Sequence, residues 1–272
     1  MRRLGVRDWL AATHRPACLD LRPAQDFARG HLPGAGNVPL DEIDARIHEL
    51  PRRGAELFVV GGELAAEGAH RLQRRARWSL AWTDEPPADW PADALDLGAA
   101  SPLWSPSPWL AEHWQLLPAG GRVLDLAMGS GRNAVWLALR GFRVEGEDIL
   151  PEAVAFARGL AARHGVDLDA RVGDVTRPDA LPRAALDGLL VFNFLHRPLL
   201  PRLADALAPG GVLIYESFLQ GHRGKPRRPQ WLLEPLELQR HYEDLLEIVA
   251  YREGEREPAA RTASLVARRR PR

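Results

Sequence analysis

Cysteine and long apolar runs are scarce in this chain, and each shortage excludes a class of protein. Cys18 is the only cysteine among 272 residues, so no intramolecular disulfide can form and a reducing compartment is the simplest expectation. No stretch reaches the roughly 18 consecutive apolar residues of a membrane-spanning helix, and residues 1–16 lack the apolar centre of a secretory signal. We therefore expect a cytoplasmic protein that has no membrane partner.

A net charge of either sign is also absent. The 36 basic residues balance 36 acidic ones, which argues against a nucleic-acid partner, although it permits a local basic patch. The nine histidines show no metal-ligand spacing with one another or with Cys18, so we predict no metal site. Lys225 is the only lysine, and we attribute the excess of arginine to the base composition of the gene.

The first third of the chain alternates short apolar runs with segments of helical spacing. Such alternation predicts an α/β unit with a mainly parallel sheet. Residues 84–108 then change to a composition rich in proline, alanine and acid, which is typical of a linker. The predicted strands are residues 17–21 and 56–60, and the predicted helices are residues 23–29, 41–50 and 64–77.

The pattern of residues 122–134, RVLDLAMGSGRNA, predicts a buried strand, a glycine turn and a helix. Gly129 and Gly131 allow the backbone to approach a ligand closely, and the following helix N-terminus favours polar or anionic groups. On its glycines alone this turn also fits a dinucleotide fingerprint. Asp125 separates the two interpretations, because its carboxylate can reach a charged amino-acid portion of a ligand.

Strand and helix patterns alternate again from Trp109 almost to the end of the chain. The predicted strands are residues 143–147, 168–172, 186–193 and 212–215, with a closing hairpin of residues 246–251 and 263–267, and the predicted helices begin at Pro151 and Leu199. Open α/β sheets bind ligands beyond the carboxyl ends of their strands. The polar candidates there are Asp148, Asp174, Asn193, His196, Arg197, Tyr215 and Glu216. The loop 221–230 adds Arg223 and Arg227, which favour an anionic acceptor.

Residues 125–131 resemble the first motif of the class I S-adenosylmethionine-dependent methyltransferases, which runs acid-x-Gly-x-Gly-x-Gly. The Pro-Gly-Gly turn at 209–211 and the closing hairpin strengthen the resemblance, and the chain from Trp104 onward is similar to the tellurite-resistance type. The resemblance to the class I methyltransferases implies a Rossmann-like, seven-stranded domain over residues 109–272. Ala127 replaces the first glycine of the motif. If its φ is negative, we expect a narrower site rather than a lost one.

The resemblance implies S-adenosylmethionine as the cofactor and gives each candidate residue a role. Asp148 is expected to bind the ribose hydroxyls and Asp174 the adenine amino group. His196 and Tyr215 are the catalytic candidates. The implied cofactor-binding residues are Asp125, Ala127, Gly129, Gly131, Asp148, Asp174 and Asn193, and the implied substrate-binding residues are Arg197, Glu216, Arg223 and Arg227.

The N-terminal segments 19–22, 30–35 and 37–40 resemble a rhodanese-like domain over roughly eighty residues. The resemblance implies a parallel-sheet domain at residues 1–95, followed by a linker at 96–108. Active members carry a cysteine after the strand that corresponds to residues 56–60, and here Gly61 takes its place. Without a thiolate we expect no sulfurtransferase activity. The domain is expected to serve as a scaffold, a lid or a docking surface for a protein partner.

Three functions stay open from the sequence. The first is an S-adenosylmethionine-dependent methyltransferase that acts on a small-molecule acceptor by in-line displacement. The second is a binding protein or pseudoenzyme, motivated by Ala127, Met128 and the missing cysteine. The third is an RNA or protein methyltransferase, which only the basic loop at residues 223–228 supports. Salt-dependent retention by RNA would distinguish the third function from the first.

Overall fold

The computed structural model describes residues 1–177, 180–183, 185–257 and 260–271. Its contacts divide the chain into two compact units, Met1–Ser105 and Pro106–Arg272. The division falls inside the predicted 96–108 linker, and Arg272, the predicted end of the second domain, lies outside the described residues. Within the described residues, no helix combines the length and the apolar character needed to cross a membrane.

The first unit is built on a five-stranded sheet in which every pairing is parallel, in the order β1-β5-β4-β2-β3. The predicted parallel sheet is confirmed. Its strands are β1 (Arg2–Arg3), β2 (Ala17–Asp20), β3 (Gly36–Asn37), β4 (Glu56–Val60) and β5 (Ser79–Trp82), and its helices are α1 (Val6–Ala11), α2 (Ala24–Ala28) and α3 (Leu64–Gln73).

Two hydrophobic clusters cover the two faces of this sheet, because successive side chains of a strand point to opposite sides. On β4, Leu57 and Val59 join one cluster, whereas Phe58 and Val60 join the other. Every one of these four side chains is fully buried. A strand buried on both faces has the continuous apolar run that made β4 predictable from sequence.

The predicted helix at residues 41–50 is wrong. The segment forms a series of turns that end in a short 3₁₀ helix, Ile47–Glu49. Pro51 disfavours helical backbone at Leu50, and Arg46 donates hydrogen bonds to the carbonyl of Asn37 and the carboxylate of Glu49. The apolar spacing that suggested a helix instead reflects the burial of single side chains from successive turns.

The second unit is a seven-stranded sheet in the order β11-β12-β10-β9-β6-β7-β8. All pairings are parallel except those of β12, which is antiparallel to both of its neighbours. The predicted seven-stranded sheet with a closing antiparallel hairpin is confirmed. Its strands are β6 (Arg122–Leu126), β7 (Arg143–Asp148), β8 (Asp169–Val172), β9 (Leu186–Phe192), β10 (Leu207–Phe218), β11 (Glu247–Glu257) and β12 (Ala260–Arg268).

Helices cover both faces of this second sheet and connect its parallel strands. They are α4 (Pro108–His113), α5 (Arg132–Ala138), α6 (Pro151–Arg163), α7 (Leu200–Ala206) and α8 (Glu237–Tyr242). Because β6 to β10 run in the same direction, their carboxyl ends lie along one edge of the sheet. The loops that follow these strands therefore meet at that edge, which is where the candidate site residues were predicted.

Candidate functional site

The turn after β6 contains three residues with left-handed backbone: Ala127 (φ 54°), Gly129 (φ 57°) and Gly131 (φ 76°). The condition of a negative φ at Ala127, on which the expectation of a narrower site depends, is therefore not met. A left-handed conformation costs a residue that carries a Cβ about 1–2 kcal/mol, whereas glycine adopts it freely. The turn keeps the glycine-type backbone although its first glycine has been replaced.

The two remaining glycines serve different purposes. A Cβ added at Gly129 would meet no atom within 4 Å, so this glycine borders open space beside the turn. A Cβ at Gly131 would lie 2.5 Å from the Cβ of Ala157, so this glycine allows α5 to pack closely on α6. Gly129 thus provides room for a ligand, and Gly131 fixes the helix behind it.

Asp125 lies in β6 next to this turn, and its side chain is buried. The backbone N–H of Ala134 donates to the carboxylate, whereas Oδ2 has no hydrogen-bond partner among the described residues. Burial raises the pKa of Asp125 to about 8, and the nearby charge of Asp148 adds to the rise. A buried carboxyl oxygen without a donor is costly, so this position fits a ligand that brings an N–H donor.

Asp148 ends β7 on the other side of the turn. Its Oδ2 accepts a hydrogen bond from the N–H of Gly129 at 2.8 Å, and its Oδ1 accepts one from the N–H of Leu150 at 3.0 Å. These bonds hold the carboxylate between two loops and join the ends of β6 and β7. Each carboxylate oxygen has a further lone pair that can accept from a hydroxyl group.

Sequence reasoning missed Ile149, which follows Asp148 and is 62% exposed. An exposed aliphatic side chain beside a strand-end carboxylate offers an apolar surface for a flat ring. The available signal was an apolar residue directly after the acid at the end of β7. Isolated exposed apolar residues are common, which is why this signal is weak in a sequence.

Met128 points away from the open side of the turn. It is buried and packs in a cluster with Val154, Ala157 and Ala170. A Cβ at Gly146 would lie 2.1 Å from the Met128 sulfur, so Gly146 makes room for this side chain. The methionine that replaces a small residue of the motif is therefore accommodated in the core.

Asp174 and His196 come from the loops that follow β8 and β9. The N–H and hydroxyl of Thr176 both donate to Asp174 Oδ1, at 2.9 and 2.6 Å, and these bonds lower the pKa of Asp174. The charge of His196 contributes to the same shift. The two loops therefore lie within electrostatic reach of each other, although their strands are at opposite ends of the β9-β6-β7-β8 segment.

Asn193 directly follows β9 and also has left-handed backbone, with a φ of 57°. Its N–H donates to the carbonyl of Glu216 at 2.8 Å. The Glu216 side chain is buried and accepts hydrogen bonds at its carboxylate from Arg256 at 2.6 Å and Ser264 at 2.9 Å. Glu216 therefore belongs to a polar network at the ends of β9 and β10.

Tyr215 lies on the opposite face of β10, in the hydrophobic core. Its hydroxyl donates to the carbonyl of Phe194 at 2.8 Å, and burial raises its pKa. A buried hydroxyl with a raised pKa and a carbonyl partner is a poor proton acceptor. These contacts favour a structural role for Tyr215 over the predicted catalytic one, because the hydroxyl supports the loop after β9.

The side chain of Arg197, like that of Tyr215, forms hydrogen bonds with neighbouring parts of the chain. Its guanidinium donates to Glu237 at 2.7 Å, to the carbonyl of Gln230 at 2.8 Å and to that of Leu232 at 2.9 Å. These bonds favour a structural role over the predicted contact with substrate, and they tether the loop after β10 to the loop after β9.

The predicted substrate residues Arg223 and Arg227 lie exposed in that tethered loop. The base of the loop is closed by backbone hydrogen bonds from Gln220 N–H to the carbonyl of Leu233 and from Leu233 N–H to the carbonyl of Phe218, at 2.9 and 2.8 Å. The structure therefore brings both arginines to the carboxyl end of β10, but it does not bring them into the polar network of Glu216.

Comparison with known families accounts for both units. A family profile described as a methyltransferase domain matches residues 123–211, which run from β6 into β10, and a profile described as a rhodanese-like domain matches residues 6–82. The chain joins a rhodanese-like domain to a methyltransferase domain.

Relatives of the methyltransferase domain have different acceptors in their names. A ribosomal protein L11 methyltransferase of Pseudomonas paraeruginosa is 40% identical over 105 residues, which cover 37% of this chain and 35% of that protein. A ubiquinone biosynthesis O-methyltransferase of Xanthomonas axonopodis pv. citri is 34% identical over 135 residues, which cover 47% of this chain and 55% of that protein. The chain thus spans between about a third and about half the length of the curated relatives it matches.

Solved structures share the fold of the methyltransferase domain. TehB from Haemophilus influenzae superimposes with a TM-score of 0.50 at 19% sequence identity, and the match covers 60% of this chain and 61% of TehB. This degree of similarity establishes the common fold. The similarity to the tellurite-resistance type that the sequence suggested is confirmed at the level of the fold.

The methyltransferase family implies S-adenosylmethionine as the cofactor, and the turn after β6 has features that fit it. The unpartnered Asp125 oxygen can accept a hydrogen bond from an ammonium group, and the open space beside Gly129 can receive a ligand. Asp148 presents carboxylate oxygens to hydroxyl groups. Within the described residues, no group of three or more metal-binding side chains occurs.

The rhodanese-like domain has glycine in its nucleophile position, and the backbone there departs from what a cysteine adopts. Gly61 has a φ of 139°, which side-chain-bearing residues rarely show, and an added Cβ would lie 3.3 Å from the Cβ of Leu21. Cys18, the remaining thiol, is buried in β2, and burial raises its pKa. The described loop therefore holds no thiolate, and the backbone at Gly61 is strained for a cysteine.

Proposed function

We propose that the methyltransferase domain binds S-adenosylmethionine at the turn after β6 and transfers its methyl group to a small-molecule acceptor near the ends of β9 and β10. The arrangement of Asp125, Gly129 and Asp148 carries the proposal. Two carboxylates flank a left-handed glycine that borders open space, and one of them has a buried oxygen without a partner.

Each carboxylate has a distinct part in this proposal. Asp125 becomes ionised when a ligand ammonium approaches, because the ammonium supplies a positive charge and an N–H donor that the buried carboxylate otherwise lacks. Asp148 accepts from the ribose hydroxyls while Gly129 and Leu150 keep it oriented. Asp174 is the proposed partner of the adenine amino group, and Ile149 the apolar contact of the adenine ring.

S-adenosylmethionine, when bound, supplies a methyl group on a sulfonium, which is transferred by in-line displacement. The chain contributes mainly by holding the acceptor in line and at contact distance from that methyl group, which accounts for a large part of the acceleration in such reactions. An oxygen or ring-nitrogen acceptor also needs to lose a proton, and His196 is the proposed base. A thiolate acceptor needs no base.

The rhodanese-like domain is proposed to be non-catalytic and to act as a scaffold, a lid or a docking surface. Gly61 in the nucleophile position supports the absence of sulfur transfer. The alternatives to a small-molecule acceptor are a regulatory protein that binds S-adenosylmethionine and a methyltransferase that acts on RNA or protein. Binding without turnover would favour the regulatory protein.

The proposal is tested by calorimetric titration of the full chain with S-adenosylmethionine and S-adenosylhomocysteine. We expect binding to wild type that Asp148→Ala and Gly129→Val both abolish, since one removes the hydroxyl acceptor and the other fills the open space. Gly141→Val is the matched control: Gly141 also has a positive φ, of 84°, and open space around it, but it lies at the end of α5. Equal loss of binding in the Gly129 and Gly141 variants would contradict the proposal.

A further inference from the structure

A β-bulge places Arg256 at the acceptor end of the sheet. The pairing of β11 with β12 changes register between Glu255 and Glu257, so Arg256 is the additional residue of the bulge. Bulges commonly redirect a side chain next to a functional site. Here the guanidinium reaches across β12 to Glu216 on β10, and its Nη1 donates to Glu216 Oε1 at 2.6 Å.

The ion pair is built into the sheet rather than lying on its surface. The Glu216 side chain is 1% exposed and that of Arg256 is 16% exposed. The second Glu216 oxygen accepts from the hydroxyl of Ser264, and the first also lies 3.4 Å from the hydroxyl of Ser107. Burying two charges is costly even when they are paired. The gain in stability is therefore a weak explanation for an ion pair at this place.

Arg256 also faces the residue that follows β9. Its Nη1 lies 3.4 Å from Asn193 Oδ1, and Asn193 is exposed at the end of that strand. A guanidinium presents its five N–H donors in a planar fork whose geometry matches a carboxylate. Glu216 thus fixes the orientation of this fork beside Asn193.

The loop after β10 gives the same end of the sheet a positive charge. Between Ser217 and Leu233 there is no aspartate or glutamate. The loop exposes four cations, none of which forms an ion pair with a described residue: Arg223, Lys225, Arg227 and Arg228. Arg261 lies at the base of the loop, where its Nη1 would be 3.3 Å from a Cβ at Gly221. An approaching anion is attracted to this end, and a protonated amine is repelled.

We infer that the methyl acceptor is an anion, such as a carboxylate, a phenolate or a thiolate, and that Arg256 is the residue that recognises its negative group. This inference rests on the proposed methyltransferase function. Glu216 is then a positioning residue, because it holds the guanidinium without touching the acceptor. The basic loop attracts the acceptor, and Arg256 provides the specific contact.

Benzoate and benzylamine are suitable probes, because they are similar in size and opposite in charge. Each is titrated calorimetrically into the full chain saturated with S-adenosylhomocysteine. We expect benzoate to bind at least about tenfold more tightly than benzylamine and to lose at least about tenfold in affinity in Arg256→Gln. Arg256→Lys should retain part of the preference, because it keeps the charge but loses the planar fork.

Arg252→Gln is the matched control, because Arg252 lies on the same strand and pairs with Glu112 at 3.8 Å. It should bind benzoate as wild type does. Equal affinity for the two probes, no binding of benzoate at millimolar concentration, or an equal loss in both arginine variants would overturn the inference. S-adenosylhomocysteine binding is measured first in every variant: its absence in wild type contradicts the proposed function, whereas its presence without an anion preference contradicts only this inference. If Arg256→Gln does not fold, Arg256→Lys replaces it in the test. A preference for benzoate equal to that of wild type in Arg256→Lys would then overturn the inference.

Discussion

At the scale of single residues, Ala127 shows how a backbone can keep a conformation after its glycine is lost. Its φ of 54° predicts that Ala127→Gly removes strain of about 1–2 kcal/mol, offset by about 0.5–1 kcal/mol of extra unfolded-state entropy. We therefore expect the free energy of unfolding in urea to stay equal or rise by up to about 1.5 kcal/mol.

Ala155→Gly is the control for that prediction, since Ala155 is exposed inside α6. A glycine there should lower the free energy of unfolding by about 1 kcal/mol. Equal destabilisation by the two substitutions would contradict the positive φ at Ala127.

Asp125 makes the stability of the free protein depend on pH. Its pKa is about 8 in the fold against 3.8 in the unfolded chain, so the folded state holds this proton more tightly. The stability that it contributes is complete below pH 4 and is lost as the pH rises to about 8. Asp125→Asn should remove this decline and gain on the order of a few kcal/mol over wild type at pH 9, but little at pH 4.

Urea denaturation at several pH values checks this prediction. Asp169→Asn is the control, because Arg171 lowers the pKa of Asp169 and its contribution has the opposite sign. The same Asp125→Asn variant should bind S-adenosylhomocysteine more weakly, since it lacks the carboxylate for the ammonium. A wild-type pH profile identical to that of Asp125→Asn would refute the raised pKa.

The position of Asp125, Gly129 and Asp148 around one turn was predictable because each stands at or near a strand end, and strand ends are visible in apolar runs. The sequence did not reveal the φ of Ala127, which depends on the turn and not on the side chain. Arg256 was also missed: its partner Glu216 is 40 positions away, and the contact exists because a bulge redirects the side chain across β12. The sequence did not show that alternation along β10 places Tyr215 on the core face.

At the scale of elements, the longer strands were predictable, including the edge strands β8 and β11, whereas the shortest elements were not. The strands β1 and β3 have two residues each, too few to show a period. The segment 41–50 has helical spacing but lies between Pro39 and Pro51, which favour turns. Helix α8, with six residues, was also missed.

The loop after β4 carries a prediction about sulfur chemistry. Gly61→Cys should not create thiosulfate sulfurtransferase activity, because the φ of 139° at this position is strained for cysteine. The measurement is a thiosulfate:cyanide assay in a Cys18→Ala background, together with thiol titration to show that the introduced thiol is accessible. Sulfur transfer by the Gly61→Cys variant would contradict the account of this loop.

At the scale of the whole molecule, each unit has its own hydrophobic clusters. Those of the first unit contain residues up to Leu103, and those of the second begin at Trp109. We therefore expect residues 106–272, produced alone, to unfold cooperatively in urea. A gradual, non-cooperative transition would contradict the inference that the second unit has a core of its own. If the rhodanese-like domain is a lid, the isolated domain should also bind S-adenosylhomocysteine more weakly than the full chain.

The most direct test of the central claim is calorimetric titration of the full wild-type chain with S-adenosylhomocysteine, paired with thermal unfolding at 1 mM ligand. We predict a dissociation constant of about 1 μM, which at that concentration adds about 4 kcal/mol to the free energy of unfolding. No heat of binding and no thermal shift at millimolar ligand would contradict the claim that the turn after β6 binds the methyl donor.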